Sequence, residues 1–246
     1  MHAVQQLYQY RKSLSTKPFN ARGKGVNRCQ LCQCAMEYCI CHLRPKTQSQ
    51  VGFVLLMHDI EVLKPSNTGR LIADIITDTF AFLWQRTNVE KKLIELLSDK
   101  KWQPIVIFPE HYVDDDTEVF VDNLPSNYLS QNVKRPLFIL LDGSWREAKK
   151  MFRKSPYLKG LPVLSISINR MKNVSDSYIR QASEKHQFAT AQVAAQALQL
   201  AGEEYNGKLL NHWFDVFNFQ YQRSVCQPNA GDEFAVQRLE TLVNSQ

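Results

Sequence analysis

Asp142, Gly143, Ser144 and Trp145 follow one another directly after the apolar run Leu137–Leu141. A carboxylate at the carboxyl end of a buried strand suits proton transfer, because partial burial makes it a better proton acceptor near neutral pH. The positive end of a following helix pulls the other way and favours the ionised form. The neighbours of Asp142 have structural work to do. Ser144 and Glu147 have the spacing of a capping box, in which hydroxyl and carboxylate each satisfy a backbone donor. Gly143 permits a sharp turn out of the strand, while Trp145, Ala148 and Phe152 fall on one side of the helix. Asp142 is what this structural reading leaves over; on spacing alone, a proton-accepting base and a plain strand-to-helix junction account for it equally well.

A second chemical cluster lies near the N-terminus, where CQLCQCAMEYCIC carries five of the six cysteines. With no signal peptide ahead of them, clustered cysteines read as metal ligands before disulfides. Cys29 and Cys32 form one short-spaced pair and Cys39 and Cys41 another; together they suit tetrahedral zinc. Cys34 is then the spare thiol. Zinc is preferred here over free buried thiols or a redox motif. Four thiolates fill the coordination sphere, so the metal is expected to be structural.

A third stretch, MHDIEVLKPSNTGRL (57–71), reads as another strand-to-helix junction. Ser66, Asn67 or Thr68 can cap a helix that begins near Gly69, after the break at Pro65. Such a helix start can instead bind an anion, with Arg70 adding charge. His58 and Glu61 stand between strand and cap, where they could titrate or orient a ligand.

The elements that must position these residues alternate. Strands are expected at 51–57, 78–84, 104–109, 137–142 and 162–168, and helices at 67–76, 89–99 and 186–202, the last ending on the capping glycine Gly202. Residues 110–135, with DDDTE and LPSN, read as an insertion or loop. An aromatic-rich helix at 206–224 is expected to pack on the core. This alternation predicts an α/β fold with a largely parallel sheet and flanking helices, whose ligands bind beyond the carboxyl ends of the strands. The loops after Met57, Phe108, Leu141 and Ile168 are therefore the places to search. The expected organisation is a basic segment with a small zinc-binding module at 1–46, a catalytic α/β domain at 47–205 and a helical extension at 206–246.

The chain has 246 residues and a formal charge of +6, enough for one sizeable core with a small appended module. No apolar run reaches the roughly 18 residues of a membrane span. A cytoplasmic location is the default expectation. No acidic residue precedes Glu37, whereas Arg11, Lys12, Lys17, Arg22, Lys24 and Arg28 all do; a second basic cluster runs from Arg146 to Lys154. Solvated basic faces and a polyanionic partner such as RNA account for these clusters equally well.

Together, ARGKGVNRC, the four-cysteine set, HDIEVLKPSNTGRLIADI, VIFPE, LLDGSWREAKKMFRKSPYL and SYIRQA resemble the DTW-domain family, whose bacterial members look like tRNA-uridine aminocarboxypropyltransferases. The family motif Asp-Gly-Thr-Trp is present with Ser144 at the threonine, and both hydroxyl residues can cap a helix. In FATAQVA, Thr190 is kept, but Gln192 stands where the family typically has an acid, so Gln192 is given no charge-dependent role. The resemblance implies transfer of the 3-amino-3-carboxypropyl group of S-adenosylmethionine to N3 of a tRNA uridine, in the variable loop, with release of methylthioadenosine. It implies a SPOUT-type fold with a knotted cofactor site. Asp142 would take the N3 proton or hold the base. Phe108, Pro109, Glu110, Leu141, Gly143, Ser144, Trp145, Ser66, Asn67 and Thr68 would surround the donor. Arg22, Lys24, Arg28, Arg70, Lys149, Lys150, Arg153 and Arg180 would face RNA, with structural zinc on Cys29, Cys32, Cys39 and Cys41. The alternatives are a methyltransferase of the same architecture and a zinc-containing RNA-binding factor without catalysis.

Overall fold

The computed structural model describes residues 1–16, 23–129, 134–171, 188–225, 229 and 231–245. Among the described residues, six strands form one sheet in the order β2-β1-β5-β3-β6-β4: β1 (Gly52–Met57), β2 (Thr79–Leu83), β3 (Trp102–Ile107), β4 (Val119–Val121), β5 (Arg135–Asp142) and β6 (Val163–Ser165). Every pairing is parallel. Central parallel strands are covered on both faces, which is why β1 reads as an unbroken apolar run and is buried at all its positions.

Side chains alternate between two cores. Phe53, Leu55, Met57, Phe138 and Leu140 face α3 (Gly69–Ile75), α8 (Thr190–Leu200) and α9 (Glu204–Arg223). Val54, Leu56, Leu137 and Ile139 face α4 (Lys91–Ser98) and α6 (Trp145–Arg153). By this alternation Asp142 falls on the α3/α8 side, in register with Met57 of β1. The chain leaves β1 towards β2 but leaves β5 towards β6 on the other side. The carboxyl ends of β1 and β5 therefore flank a topological switch point, the usual ligand crevice of an open parallel sheet.

The remaining α-helices among the described residues are α1 (Ala3–Ser13), α2 (Asp59–Leu63), α5 (Ser126–Leu129), α7 (Ile168–Met171) and α10 (Ala235–Asn244). One expectation changes here, and one element is added. The stretch read as an insertion at 110–135 contains β4, which extends the sheet by pairing with β6 from Val119↔Val163 to Val121↔Ser165. The basic N-terminus begins with a helix: His2 caps α1, and Val4 and Leu7 are buried. Arg11 Nη2 donates to Asp59 Oδ2 at 2.8 Å, fastening α1 to α2, and this hydrogen bond holds the Asp59 carboxyl below its usual range.

The aromatic helix expected at 206–224 is α9, with Trp213, Phe214 and Phe217 essentially inaccessible. It begins two residues before the expected start and is followed by α10. Gly202 takes a left-handed φ of 81° just past α8, the terminating role expected of it. Cys29, Cys32, Cys34 and Ile40 share one buried cluster with α3, α8 and α9.

Candidate active site and metal centre

The loops at the carboxyl ends of β5, β3 and β6 enclose a cavity of about 520 Å³, within the range of small-molecule sites. Its β3 wall is Phe108, Pro109, Glu110 and Tyr112; its β5 wall is Leu141, Gly143 and Trp145. Ser165, Ser167 and Met171 close the β6 side, and Thr190 and Val193 of α8 the remaining one. Aromatic packing shapes the interior. Phe108 lies between Trp145, near-parallel at 5.5 Å, and Phe152, near-parallel at 4.3 Å, and Tyr112 meets Trp145 edge-on at 5.3 Å. Lys149 Nζ stands over both Tyr112 and Trp145, at 5.3 and 5.5 Å.

The capping box expected at the start of α6 is present. The Ser144 amide donates to Glu147 Oε2 at 2.7 Å, and the Glu147 amide donates to Ser144 Oγ at 3.4 Å. Burial pushes the Glu147 carboxyl up, but the Ser144 hydrogen bonds, His58 and Lys64 outweigh it and hold the carboxyl below its usual range. His58 Nδ1 lies 3.2 Å from Glu147 Oε1, and its ring is near-parallel to Trp84. Gly143 does not have the positive φ of a sharp glycine turn. What it supplies is room: a Cβ there would lie 3.1 Å from Glu147 Cβ and 3.2 Å from His58 Cβ.

Asp142 is 3% exposed. Asn67 Nδ2 donates to its Oδ2 and Thr190 Oγ1 donates to its Oδ1, each at 2.6 Å. Asn67 is itself buried and its amide also reaches Glu61 Oε1 at 3.4 Å. Lys64 Nζ holds the other Glu61 oxygen at 2.7 Å. A Cβ on Gly69 would lie 3.0 Å from Asp142 Oδ2, so glycine is what lets the first turn of α3 approach the carboxylate. Asp142 is absent from the described cavity wall, whereas Thr190 belongs to it. The acid sits one residue behind the cavity wall.

Of the residues expected around the donor, Phe108, Pro109, Glu110, Leu141, Gly143 and Trp145 line the cavity. Ser144 is the exposed cap of α6. Asn67 and Thr68 are buried, and Ser66 is half-buried outside the cavity wall. Thr68 occupies the cap position of α3 but makes no side-chain capping bond; its Oγ1 accepts from the Ala191 amide at 3.4 Å. Asn67 holds Asp142 and Thr68 meets α8, both outside the described cavity wall.

Arg70 requires a correction. It is 5% exposed and cannot face RNA: Nε donates to the Asn67 carbonyl at 3.0 Å and Nη2 to the Lys64 carbonyl at 2.9 Å. It clamps the loop that presents Asn67. Lys24, Lys150 and Arg153 are exposed. Arg28 is half-buried, donating to the Gln33 carbonyl at 2.9 Å and covering the Tyr221 ring at 5.2 Å. Arg22 and Arg180 lie outside the described residues, as does SYIRQA.

Thr190, Tyr112 and the β6 wall were not among the expected site residues. Ile168, whose following loop the strand pattern points to, does line the cavity. Thr190 carried only the threonine of the Thr-x-acid segment. Gln192 caps the same helix, accepting from the Ala189 amide at 2.9 Å, a role a neutral side chain fills.

The Sγ atoms of Cys29, Cys32, Cys39 and Cys41 all lie within 4.8 Å of one another. Cys29 and Cys41 Sγ are 3.7 Å apart, and Cys32 and Cys39 Sγ 3.9 Å. A tetrahedron with zinc–sulfur bonds of about 2.3 Å has edges of roughly 3.8 Å, so these four residues could hold zinc. A hydrogen bond from Cys34 lowers Cys32 to about 4. The same bond and burial push Cys34 up, leaving it a neutral donor beside the site.

The family model of the DTW domain matches residues 26–222, from just before the first cysteine almost to the end of α9. That family is consistent with a tRNA-modifying role and implies an RNA substrate. No solved structure matches the chain. Among the described residues no helix is long and apolar enough to cross a membrane.

Proposed function

Because this chain belongs to the DTW-domain family, we propose that it is a tRNA-uridine aminocarboxypropyltransferase: it moves the 3-amino-3-carboxypropyl group of S-adenosylmethionine to N3 of a uridine in the tRNA variable loop. The observation that carries this reading is an aromatic-walled cavity of about 520 Å³ with the Asp142 carboxylate fixed behind its wall by two hydrogen bonds. The cavity suits the adenosine part of the donor. Trp145 and Tyr112 offer aromatic surface, and the loops Phe108–Glu110 and Leu141–Gly143 offer backbone groups.

The sulfonium activates three carbons, and the carbon held in line with the nucleophile is the one that reacts. Uridine N3 becomes a competent nucleophile as its proton leaves, and Asp142 is the group that receives that proton. Lys24, Arg28, Lys149, Lys150 and Arg153, with Arg22 and Arg180, supply phosphate contacts, so tRNA affinity falls steeply with salt. Zinc on the four thiolates would brace the segment that carries Lys24 and Arg28; a complete thiolate set leaves no coordination position for substrate.

Incubation with S-adenosylmethionine and unmodified tRNA tests the reading. Methylthioadenosine together with aminocarboxypropyl-uridine supports it. S-adenosylhomocysteine would identify a methyltransferase, and tRNA binding without donor consumption would identify a non-catalytic RNA-binding factor.

A further inference from the structure

Resting on that reading, we infer that Thr190 selects the nucleobase by its N3–H and conducts that proton to Asp142. Thr190 is the described residue that both lines the cavity and hydrogen-bonds Asp142. A hydroxyl has one proton and two lone pairs. The proton of Thr190 is committed to Asp142 Oδ1 at 2.6 Å, so Oγ1 has only lone pairs to offer a ligand. The carboxylate cannot rotate to release it, because Asn67 Nδ2 holds Oδ2 at 2.6 Å and Gly69 brings α3 against the same oxygen. Arg70 in turn fixes the Asn67 and Lys64 carbonyls.

A ligand atom that meets Thr190 Oγ1 must therefore be a donor. Uracil presents an N–H at N3, whereas cytosine presents a lone pair there and would set acceptor against acceptor. Sites built around one hydrogen bond reject ligands that leave it unmade, because the buried partner is left unpaired. The step balances without any further reagent. The N3 proton passes to Thr190 Oγ1 as the hydroxyl proton passes to the Asp142 carboxylate. The freed nitrogen pair bonds to the terminal carbon of the aminocarboxypropyl chain, and the carbon–sulfur pair departs with sulfur as neutral methylthioadenosine. Protonated Asp142 then returns its proton to solvent through the same hydroxyl.

The test compares wild type, Thr190→Val and Thr190→Ser in single turnover with saturating S-adenosylmethionine and unmodified tRNA, with donor affinity measured separately by calorimetry. The inference expects Thr190→Val to lose about 10²-fold or more in the transfer rate while binding donor within about twofold of wild type. Thr190→Ser, which keeps the hydroxyl and relieves any doubt about folding, should stay within about tenfold of wild type, and wild type should not modify a tRNA carrying cytidine at the target position. Near-wild-type transfer by Thr190→Val would overturn the inference. So would a donor affinity of Thr190→Val weakened as much as its rate, which would assign the hydroxyl to the donor's ammonium group, or a Thr190→Ser variant that binds donor yet is as slow as the valine variant. Failure of the parent reading looks different: wild type itself would then release no methylthioadenosine.

Discussion

The two sides of the β5 carboxyl end are built from opposite materials. Towards β3 and β6 the wall is aromatic and open, with Phe108, Tyr112 and Trp145 around a cavity of about 520 Å³. Towards β1 it is polar and closed, with Glu61, Asn67, Asp142 and Arg70 all at most 5% exposed. One side has room and few fixed polar contacts; the other has fixed polar contacts and no room. Only Thr190 of the described residues belongs to both, through its place in the cavity wall and its bond to Asp142. On the proposed function, the contrast would separate holding a ligand from handling a proton.

The largest expected effect is on the closed side. Asp142→Asn should lower transfer by about 10²- to 10⁴-fold with tRNA affinity unchanged, read by single-turnover rates and filter binding. Equal losses in tRNA affinity would erase the distinction between the two sides. Next comes Cys32→Ser. Cys32 is 1% exposed and shares the core cluster of α3 and α8; if the four thiolates hold zinc, removing one should destabilise the fold by several kcal/mol and strip the metal. Elemental analysis with thermal unfolding checks both, and the polar side should loosen before the aromatic one.

Trp145→Ala acts on the open side. Donor affinity should fall about tenfold, equivalent to about 1.4 kcal/mol, while the rate at saturating donor stays within a few-fold of wild type. A collapse of that saturated rate would show that the aromatic wall also shapes the chemistry. Ser144→Ala is the smallest. It removes the α6 cap bond to the Glu147 amide and should cost about 1 kcal/mol, measured by denaturant unfolding, with little effect on proton transfer.

Local features of the site were readable from sequence because each depends on neighbours along the chain. The apolar run of β1, the Ser144–Glu147 box and the paired cysteines have signatures within a few residues. What escaped depends on distant segments. Thr190 reaches Asp142 across 48 residues and Asn67 reaches it across 75, and no periodicity records such a meeting. The three-residue strand β4 is too short for alternation to register. Arg70 looked like a surface cation because arginine seldom lies fully buried; its partners are backbone carbonyls, which composition cannot reveal. In α1, polar residues outnumber the buried Val4 and Leu7, which hid an amphipathic helix inside a basic segment.

The most direct test of a transfer site at the β5 edge is paired mass spectrometry of nucleosides and donor by-products after one turnover. Wild type should yield one methylthioadenosine for each aminocarboxypropyl-uridine formed, and Asp142→Asn should yield neither above background while still binding donor and tRNA. S-adenosylhomocysteine as the by-product, or equal product from the variant, would contradict it.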